Sequence, residues 1–436
     1  MRKKIYVLCL PALMLSACAS YEERPIDLGR EAVAWRERSD AVARERTELT
    51  FADAKLIGLA LNPELNRARA SLAKSRAVRD ASGWWEDPAV SFSVKRVLNT
   101  SAQPWAYTPG ASLTIPVTGL PALAEEAAER YAEADYWTLV QAELDFAAGL
   151  AEMWTDCAVV EAKLRVAELY LLNAREERAR LERLFDAGEV TAAELQKEND
   201  RVNAAELEKR DLDARFVDVR SRIAAQLGLA PTVARALKLD AALPAGVPAA
   251  APSLTPEELA ELPRVRAALA RYSASETALK TEIRRQYPEL SLSPSYELDG
   301  NDEFADSFTL GVGFTLPLWN RNRLGVAEAE GEREVVRIET LALWQDQFHL
   351  LRRLEAEQEI AENHCRAQET RSRDFLRRTE KIYAEIDAGE TLPTALSEAA
   401  AQNFTASLAY CDALGDFLKA RIRIEALRAQ KKVNGD

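Results

Sequence analysis

Few residues of this chain could carry out chemistry. Its 436 residues include two histidines, five cysteines and three methionines, which is little for a metal centre. His364 precedes Cys365, but neighbouring residues of a helix diverge by about 100°, so the pair is not expected to share a metal. No GxSxG, HExxH, phosphate-loop or dinucleotide glycine motif occurs. We therefore expect no enzyme, no cofactor and no metal site.

The first eighteen residues look like a targeting segment. Three basic residues precede the apolar run Ile5–Met14, which is too short to span a bilayer. Leu15–Cys18 then reads LSAC, which resembles a bacterial lipobox, the site cleaved before an acylated cysteine. We expect residues 1–17 to be a lipoprotein signal peptide and Cys18 to be lipidated. Ala19 is not the aspartate that holds such proteins at the inner membrane, and an ordinary secretory signal is the alternative.

The overall charge argues against one class of partner. Acidic residues outnumber basic ones by 70 to 57, for a net charge of −13. A nucleic-acid partner would require a basic face, so none is expected. No later segment has 18 apolar residues in a row, so the sequence predicts no transmembrane helix.

The stretch Phe308–Arg323 combines two kinds of pattern. From Phe308 to Leu318 apolar residues recur at every second position, which predicts a strand. From about Leu324 to Ala388 the chain has no proline and is rich in Ala, Glu, Leu and Arg. A helix of about 65 residues would be on the order of 100 Å long, whereas helices of globular domains usually have three to four turns.

The remaining chain alternates between the same kinds of element. Polar residues 18–48 are expected to form an extended, lipid-anchored arm. Leu49–Arg79 is expected to form two helices that break at Asn62-Pro63. The further predicted elements are strands near 88–98, 110–117, 288–298 and 307–318, helices Leu120–Ala187 and Thr191–Leu227, a Pro/Ala-rich linker 231–256, and a tail 431–436.

Landmarks of the first half recur in the second half. Pro288 follows Pro88 by 200 residues, and Asp387-Ala-Gly-Glu390 follows Asp186-Ala-Gly-Glu189 by 201. An offset kept over about 100 residues indicates a tandem duplication. We expect repeats at 49–230 and 257–430, each with a helical tip, near 184–192 and 383–392.

Each repeat supplies two strands of about the length that a tilted strand needs to cross a bilayer. Four strands cannot close a barrel, and an open edge would leave backbone groups unpaired in lipid. Three copies would give twelve strands, which is within the range of outer-membrane barrels. Tryptophans cluster near the strand ends and fit either interfacial belts or plain core packing: Trp84, Trp85, Trp105 and Trp319. The alternative for the strands is a soluble sheet.

Two cysteines could be joined. Cys365 lies 24 residues before Gly389, and Cys411 lies 22 residues after it. In an antiparallel hairpin that turns near Ala388 they reach the same height, and an oxidising periplasm would favour a disulfide between them. The alternative is that one of them faces away from the seam.

The order of elements, the duplication and the two Asp-Ala-Gly-Glu tips resemble the TolC family of outer-membrane efflux channels over nearly the whole mature chain. Residues 316–323, LPLWNRNR, are similar to the strand-to-helix junction of the heavy-metal (CzcC-type) branch. The resemblance implies a homotrimeric conduit in the cell outer membrane. Its implied partners are outer-membrane lipid, a periplasmic adaptor protein and an inner-membrane pump of the RND type.

The resemblance also assigns roles to residues. The adaptor would dock at the tips, through Asp186, Gly188, Glu189, Asp387, Gly389 and Glu390. Carboxylates six and nine residues after the second tip glycine often narrow the tunnel in the family. Here those positions hold Ala395 and Glu398, and the first half has Glu194 and Lys197. Glu398 and Glu194 are therefore the gate candidates. A ring of Glu398 would attract cations, but the alternative is an ordinary carboxylate of a solvated helix.

The sequence thus predicts a mainly α-helical chain with a small β part. Long antiparallel hairpins would form a tunnel below a shared 12-stranded barrel. The expected function is passive export of metal cations or drugs. The alternatives are a lipid-anchored periplasmic scaffold that does not conduct, and a TolC-like channel for type I protein secretion.

Overall fold

The computed structural model describes residues 21–45, 48–96, 98, 105–234, 236–251, 254–299, 306–387 and 393–432. The first five elements are α1 (Leu28–Glu45), β1 (Glu48–Leu49), α2 (Phe51–Leu61), α3 (Pro63–Asp80) and β2 (Ala89–Arg96). The next elements are β3 (Trp105–Ile115), α4 (Leu120–Asp186), α5 (Ala192–Gln226), a 3-10 turn (Pro231–Val233) and β4 (Lys238–Leu239). The last are α6 (Pro256–Leu259), α7 (Pro263–Arg284), β5 (Leu290–Asp299), β6 (Ser307–Phe314), α8 (Arg323–Asp387) and α9 (Pro393–Lys432).

The two long helices are present as predicted. α4 has 67 residues and α8 has 65, so each is about 100 Å long at 1.5 Å per residue. α4 packs against α5 and α9, and α8 packs against α9 and α7. The break predicted at Asn62-Pro63 also holds, because Asn62 ends α2 and its Oδ1 accepts from the backbone N–H of Glu64 and Leu65 at the start of α3.

The N-terminal arm is not extended, and this prediction was wrong. Leu28–Glu45 forms helix α1, held by contacts with residues about 190 positions away. Trp35 Nε1 donates to the carbonyl of Gly228 at 2.8 Å, and the backbone N–H of Ala230 donates to the buried Ser39 Oγ at 2.9 Å. Long-range hydrogen bonds of this kind stabilise a helix whose own sequence shows no clear apolar stripe.

The stretch predicted as a linker, 231–256, connects the two halves but packs against them. β4 pairs in parallel with β1, and Trp154 Nε1 of α4 donates to the carbonyl of Asp240 at 3.1 Å. Further along, the backbone N–H and C=O of Ala251 both bond to the buried Gln358 side chain of α8. The segment therefore joins both long helices and is a structural part of the molecule.

The four longer strands form one antiparallel sheet in the order β2-β3-β5-β6. β3 begins earlier than predicted, at Trp105, which pairs with Arg96 and lies under its guanidinium at 5.5 Å. β6 ends earlier than predicted, at Phe314, because its partner strand β5 begins opposite that residue, at Leu290. Leu316 and Leu318 therefore lie outside the strand, although they continue the apolar alternation.

The described elements repeat one order, since α3-β2-β3-α4-α5 is followed by α7-β5-β6-α8-α9. The main core lies where α1, α2, α4 and α5 meet, around Leu150, Ile223 and Leu227. A second apolar cluster joins α7, α8 and α9 around Leu262, Leu351 and Ile424. Each half thus has its own core, and α4 contacts both α7 and α9 to join the halves.

Candidate functional site

The sheet has an exposed apolar surface. On the two outer strands, the exposed fractions of seven large apolar residues lie between 50 % and 85 %: Val90, Phe92, Val94, Phe308, Leu310, Val312 and Phe314. These two strands, β2 and β6, have no further partner strand in the described part of the chain. Water-soluble proteins rarely expose such contiguous apolar surface, and they usually protect open sheet edges.

Tryptophans lie at both ends of this sheet. Trp84 and Trp85 precede β2 and Trp319 follows β6, and the strand register places all three at the end where the sheet joins α4 and α8. Trp105 begins β3 at the opposite end. All four side chains are exposed, which argues against core packing. Amphipathic rings at both ends of an apolar band are typical of two membrane interfaces.

The two strand-to-helix junctions use left-handed backbone. Gly119 precedes α4 with φ = 73°, and Arg321 and Asn322 precede α8 with φ = 50° and 51°. Asn tolerates this region better than most residues. Asn322 Nδ2 donates to the carbonyl of Glu282 at 2.9 Å and to its carboxylate at 2.7 Å. The LPLWNRNR stretch thus fixes the start of α8 against the end of α7.

The first tip is a capped helical turn. Gly188 has φ = 78°, and the N–H of Glu189 donates to the carbonyl of Leu184 at 2.9 Å, which closes α4 as a left-handed C-cap. Asp186 and Glu189 are exposed beside it. At the second tip Asp387 ends α8, while Gly389 and Glu390 lie outside the described residues, as does Cys18.

Glu194 has a local role at this tip. Its carboxylate accepts from the backbone N–H of Thr191 at 2.8 Å, and the N–H of Glu194 donates to Thr191 Oγ1. This capping box stabilises the first turn of α5. The hydrogen bonds from Thr191 lower the pKa of Glu194, which keeps it ionised.

Glu398, the other gate candidate, has a partner. Its side chain is about half exposed, and Oε2 lies 3.8 Å from Nζ of Lys197. These two residues are the equivalent positions of the two halves, 201 residues apart, and they meet where α5 and α9 approach. An exposed ion pair of this kind contributes little to stability. The positive charge of Lys197 formally offsets the negative charge of Glu398.

The predicted disulfide between Cys365 and Cys411 is absent, because both thiols are free. Cys365 packs with Leu414 and Phe417 in the seam between α8 and α9. Cys411 precedes Leu414 by three residues on α9. It is close enough to Lys163 of α4 for their charges to interact. The two cysteines therefore face different helices. Burial raises the pKa of Cys365 to about 11.

A seam of charged pairs joins α4 to α9, and sequence reasoning missed it. The helices are antiparallel, and residues of opposite charge face each other at three levels, the first two one turn apart and the third two turns further on. The pairs are Glu152–Arg423 at 2.9 Å, Asp156–Lys419 at 3.1 Å and Lys163–Asp412 at 2.9 Å. In each pair the two residue numbers add up to 575, as expected for two antiparallel helices. The sequence reveals this pattern only when the two helices are already known to pack.

Helices that could cross a membrane are not found among the described residues. Within the same residues, no group of three or more His, Cys, Asp and Glu side chains could hold a metal ion.

The fold defines the class. Long paired helices joined to a four-stranded antiparallel sheet are the architecture of the TolC-family outer-membrane channels. The resemblance to that family is therefore confirmed at the level of the fold. The proteins of this class are channels and not enzymes.

Individual proteins can be named as similar. A crystal structure of CusC, from a study of its folding and transmembrane channel formation, has a TM-score of 0.71 at 16 % identity and covers 86 % of this chain and 91 % of its own. The outer-membrane protein VceC of Vibrio cholerae has a TM-score of 0.70 at 17 % identity and covers 90 % of this chain and 98 % of its own.

A relative by sequence is the pyoverdine export outer membrane protein OpmQ of Pseudomonas putida. It is 28 % identical over 193 residues, which are 42 % of this chain and 40 % of OpmQ. The match thus spans less than half the length of this curated relative. No protein-family model matches the chain.

Proposed function

We propose that this protein is the outer-membrane channel of a tripartite efflux system and that it works as a homotrimer. The observation that carries the proposal is the open sheet. Four strands of 8 to 11 residues expose an apolar surface and leave two edges without partners in the described chain. An unpaired edge is not tolerated in lipid, so the sheet must continue into other copies.

Three copies close the sheet most simply. In a ring, β2 of one copy pairs with β6 of the next, and every edge is used once. The result has twelve strands, within the known range of outer-membrane barrels. The tryptophans at both ends of the sheet would lie at the two lipid interfaces. The helices would then continue into the periplasm and enclose the tunnel.

The remaining parts of the proposal concern attachment and partners. Cys18 would carry the lipid anchor in the outer membrane. The tips around Gly188 and Gly389 would dock a periplasmic adaptor, which links the channel to an inner-membrane pump. The pump would be of the RND type, which fits the CzcC-like junction at residues 316–323. The duplication of one ancestral repeat would explain the doubled element order.

The cargo is proposed only as a class. Small solutes fit a conduit that performs no chemistry, and metal cations or drugs are the first choice. The name of OpmQ adds pyoverdine as a second candidate. A non-conducting periplasmic scaffold is the alternative function, but a scaffold has no use for an exposed apolar sheet. Type I protein secretion would use the same architecture.

Cross-linking at the sheet edges tests the trimer. Phe92→Cys and Leu310→Cys place thiols in the middle of β2 and β6, and oxidation should link successive copies into a covalent trimer on a denaturing gel. The matched control is Tyr107→Cys with Leu298→Cys, which face each other within one chain and should give only a cross-linked monomer. A monomeric product from both pairs would refute the shared barrel.

Conductance tests the channel itself. The purified mature protein should form small, stable single channels in planar bilayers. Glu398→Ala should raise the conductance if Glu398 narrows the tunnel, while Glu182→Ala, an exposed residue of α4, should leave it unchanged. A trimer that never conducts would favour the scaffold.

A further inference from the structure

The two faces of the four-stranded sheet differ in chemistry. Residues directly opposite each other in an antiparallel sheet share a face. The register places Val94 opposite Tyr107, and Tyr107 opposite Leu298. On the same face, Leu292 of β5 lies opposite Val312 of β6. This face consists mostly of apolar and aromatic side chains, whereas the other face carries small, polar or charged ones. In the proposed barrel the apolar face contacts lipid and the other face lines the channel.

Arg96 is an exception on the apolar face. It follows Val90, Phe92 and Val94 at period two on β2, so it continues their row. Within the strands that the structure describes, it is the one charged residue on this face. A cation that faces lipid is unfavourable at the membrane centre and is tolerated near an interface. Arg96 lies at the end of the sheet remote from the helices, so this interface is the outer one.

The ring of Trp105 positions the guanidinium of Arg96. The two residues lie directly opposite each other, and the guanidinium carbon is 5.5 Å from the ring centroid. A cation–π contact of this kind covers one flat side of the guanidinium. The N–H donors lie in the plane of the group, so the contact leaves them directed outward along its edge. Arg96 is exposed.

The acids at this end of the sheet have other partners. Glu297 lies on the polar face, where it pairs with Lys95 at 3.6 Å. The carboxylate of Asp306, just before β6, accepts from the hydroxyl of Tyr296 at 2.9 Å. Among the residues that the structure describes, Arg96 forms no ion pair and no hydrogen bond through its side chain. Its charge is therefore open to an anion from outside the chain.

The position of Arg96 selects the kind of anion. An arginine binds a phosphate through two parallel hydrogen bonds. The outer leaflet of a bacterial outer membrane consists of a phosphorylated glycolipid, whose phosphates lie at the level of the interfacial aromatic rings. Next to Arg96 along the apolar face, Phe92 and Tyr107 are stacked with centroids 6.3 Å apart, and they offer an apolar surface to an acyl chain.

We propose that Arg96 and Trp105 form a binding site for a phosphate of the outer-leaflet glycolipid. The guanidinium donates two hydrogen bonds to phosphate oxygens, the indole ring contacts its flat side, and an acyl chain packs along Phe92. Each copy in the ring carries one such site. The inference rests on the proposed channel function, because that function gives the sheet its orientation in the membrane.

The neighbouring residue on β2 provides a matched control. Lys95 carries the same charge as Arg96 and precedes it directly, but its side chain belongs to the other face, beside Glu297. A general attraction between basic residues and anionic lipid would involve both residues. A specific site on the apolar face involves Arg96 and leaves binding independent of Lys95.

The experiment is native mass spectrometry of the purified protein in detergent. Lipid A is the probe, and dephosphorylated lipid A and phosphatidylglycerol are the comparison lipids. The wild type should bind about one lipid A per chain. It should bind both comparison lipids more weakly, because the first lacks the phosphate and a phosphodiester carries less charge than a phosphate monoester.

The variants separate the parts of the site. Arg96→Gln should weaken binding of lipid A about tenfold or more, since it removes a charge-assisted hydrogen bond. Arg96→Lys keeps the charge without the paired donors, so its affinity should be intermediate. Trp105→Leu removes the cation–π contact and should weaken binding about threefold. Lys95→Gln should leave the affinity unchanged. The unfolding midpoint of each variant is measured alongside, so that a loss of binding is read on folded protein.

Four results would overturn the proposal: no binding of lipid A to the wild type, equal binding of the dephosphorylated lipid, equal binding of phosphatidylglycerol, or equal effects of Arg96→Gln and Lys95→Gln. A ring that dissociates in Arg96→Gln while each chain still binds lipid A would also overturn it, because Arg96 would then contact the neighbouring copy.

Conductance and mass of the same preparation separate this inference from the channel function. A conducting trimer that binds no lipid A contradicts the lipid site alone. A monomer that never conducts contradicts the channel function, and with it the orientation on which the site depends.

Discussion

Gly415 allows α9 to approach α4 in the middle of the charged seam, and it gives the sharpest test of how the two halves pack. A Cβ added at this position would overlap Cγ2 of Val159 on α4. Gly331 on α8 is a matched control, since a Cβ added there would meet no atom within 4 Å. Both glycines lie inside long helices, so the two positions share a helical backbone conformation and differ only in how closely they are packed.

The magnitudes follow from two opposing terms. Replacing a helical glycine by alanine stabilises the helix by about 0.8–1.0 kcal/mol. Overpacking a close helix contact destabilises by about 1–3 kcal/mol. Gly331→Ala should therefore be stabilised by up to about 1 kcal/mol, whereas Gly415→Ala should range from neutral to destabilised by about 2 kcal/mol.

A double-mutant cycle isolates the contact. Val159→Ala removes the methyl group that the new Cβ would meet, so Gly415→Ala should be tolerated better in that background, with a coupling energy of about 1–3 kcal/mol. The measurement is urea unfolding followed by circular dichroism in detergent. The reasoning is refuted if Gly415→Ala stabilises as much as Gly331→Ala, or if the two changes at the contact are simply additive.

Three further outcomes are expected. Asp412→Asn leaves the ammonium of Lys163, whose side chain is 7 % exposed, without its carboxylate partner. Because Asp412 itself is half exposed, we expect the free energy of unfolding in urea to fall by about 1–3 kcal/mol, and to fall by less for Lys163→Met. Asn322→Ala should be less stable than Asn322→Gly by about 1 kcal/mol, because both lose the bonds to Glu282 but only alanine is strained at φ = 51°; equal stability would contradict this. Thr191→Ala should speed amide exchange in the first turn of α5. The pKa of Glu194 is lowered in the folded protein. The contribution of this cap to the free energy of unfolding is therefore present at pH values above the ordinary glutamate pKa, and it is lost as the pH falls through the lowered value.

Period and composition were sufficient for the long elements. The proline-free runs gave α4 and α8 to within one or two residues, and apolar alternation located all four strands of the sheet. Helix and strand periodicity are local properties, so a sequence shows them directly. The same holds for the capping residues Thr191 and Asn62, whose partners lie two to three residues away.

The errors came from contacts between distant residues. α1 depends on Gly228 and Ala230, the segment 231–256 depends on Trp154 and Gln358, and no local pattern contains those partners. β6 stops at Phe314 because its neighbour begins there, although its own alternation continues. The height of Cys365 and Cys411 along the hairpin followed from counting residues, but the direction in which each side chain points did not.

The two open edges of the sheet also bear on inheritance. In the proposed ring every copy uses both of its edges, so one copy with a damaged β2 or β6 interrupts the whole ring. If a cell made equal amounts of intact and edge-damaged chains that mix freely, only about one ring in eight would contain three intact copies. A lesion in β2 or β6 should therefore be dominant over the normal gene, whereas a lesion that prevents the chain from folding should be recessive.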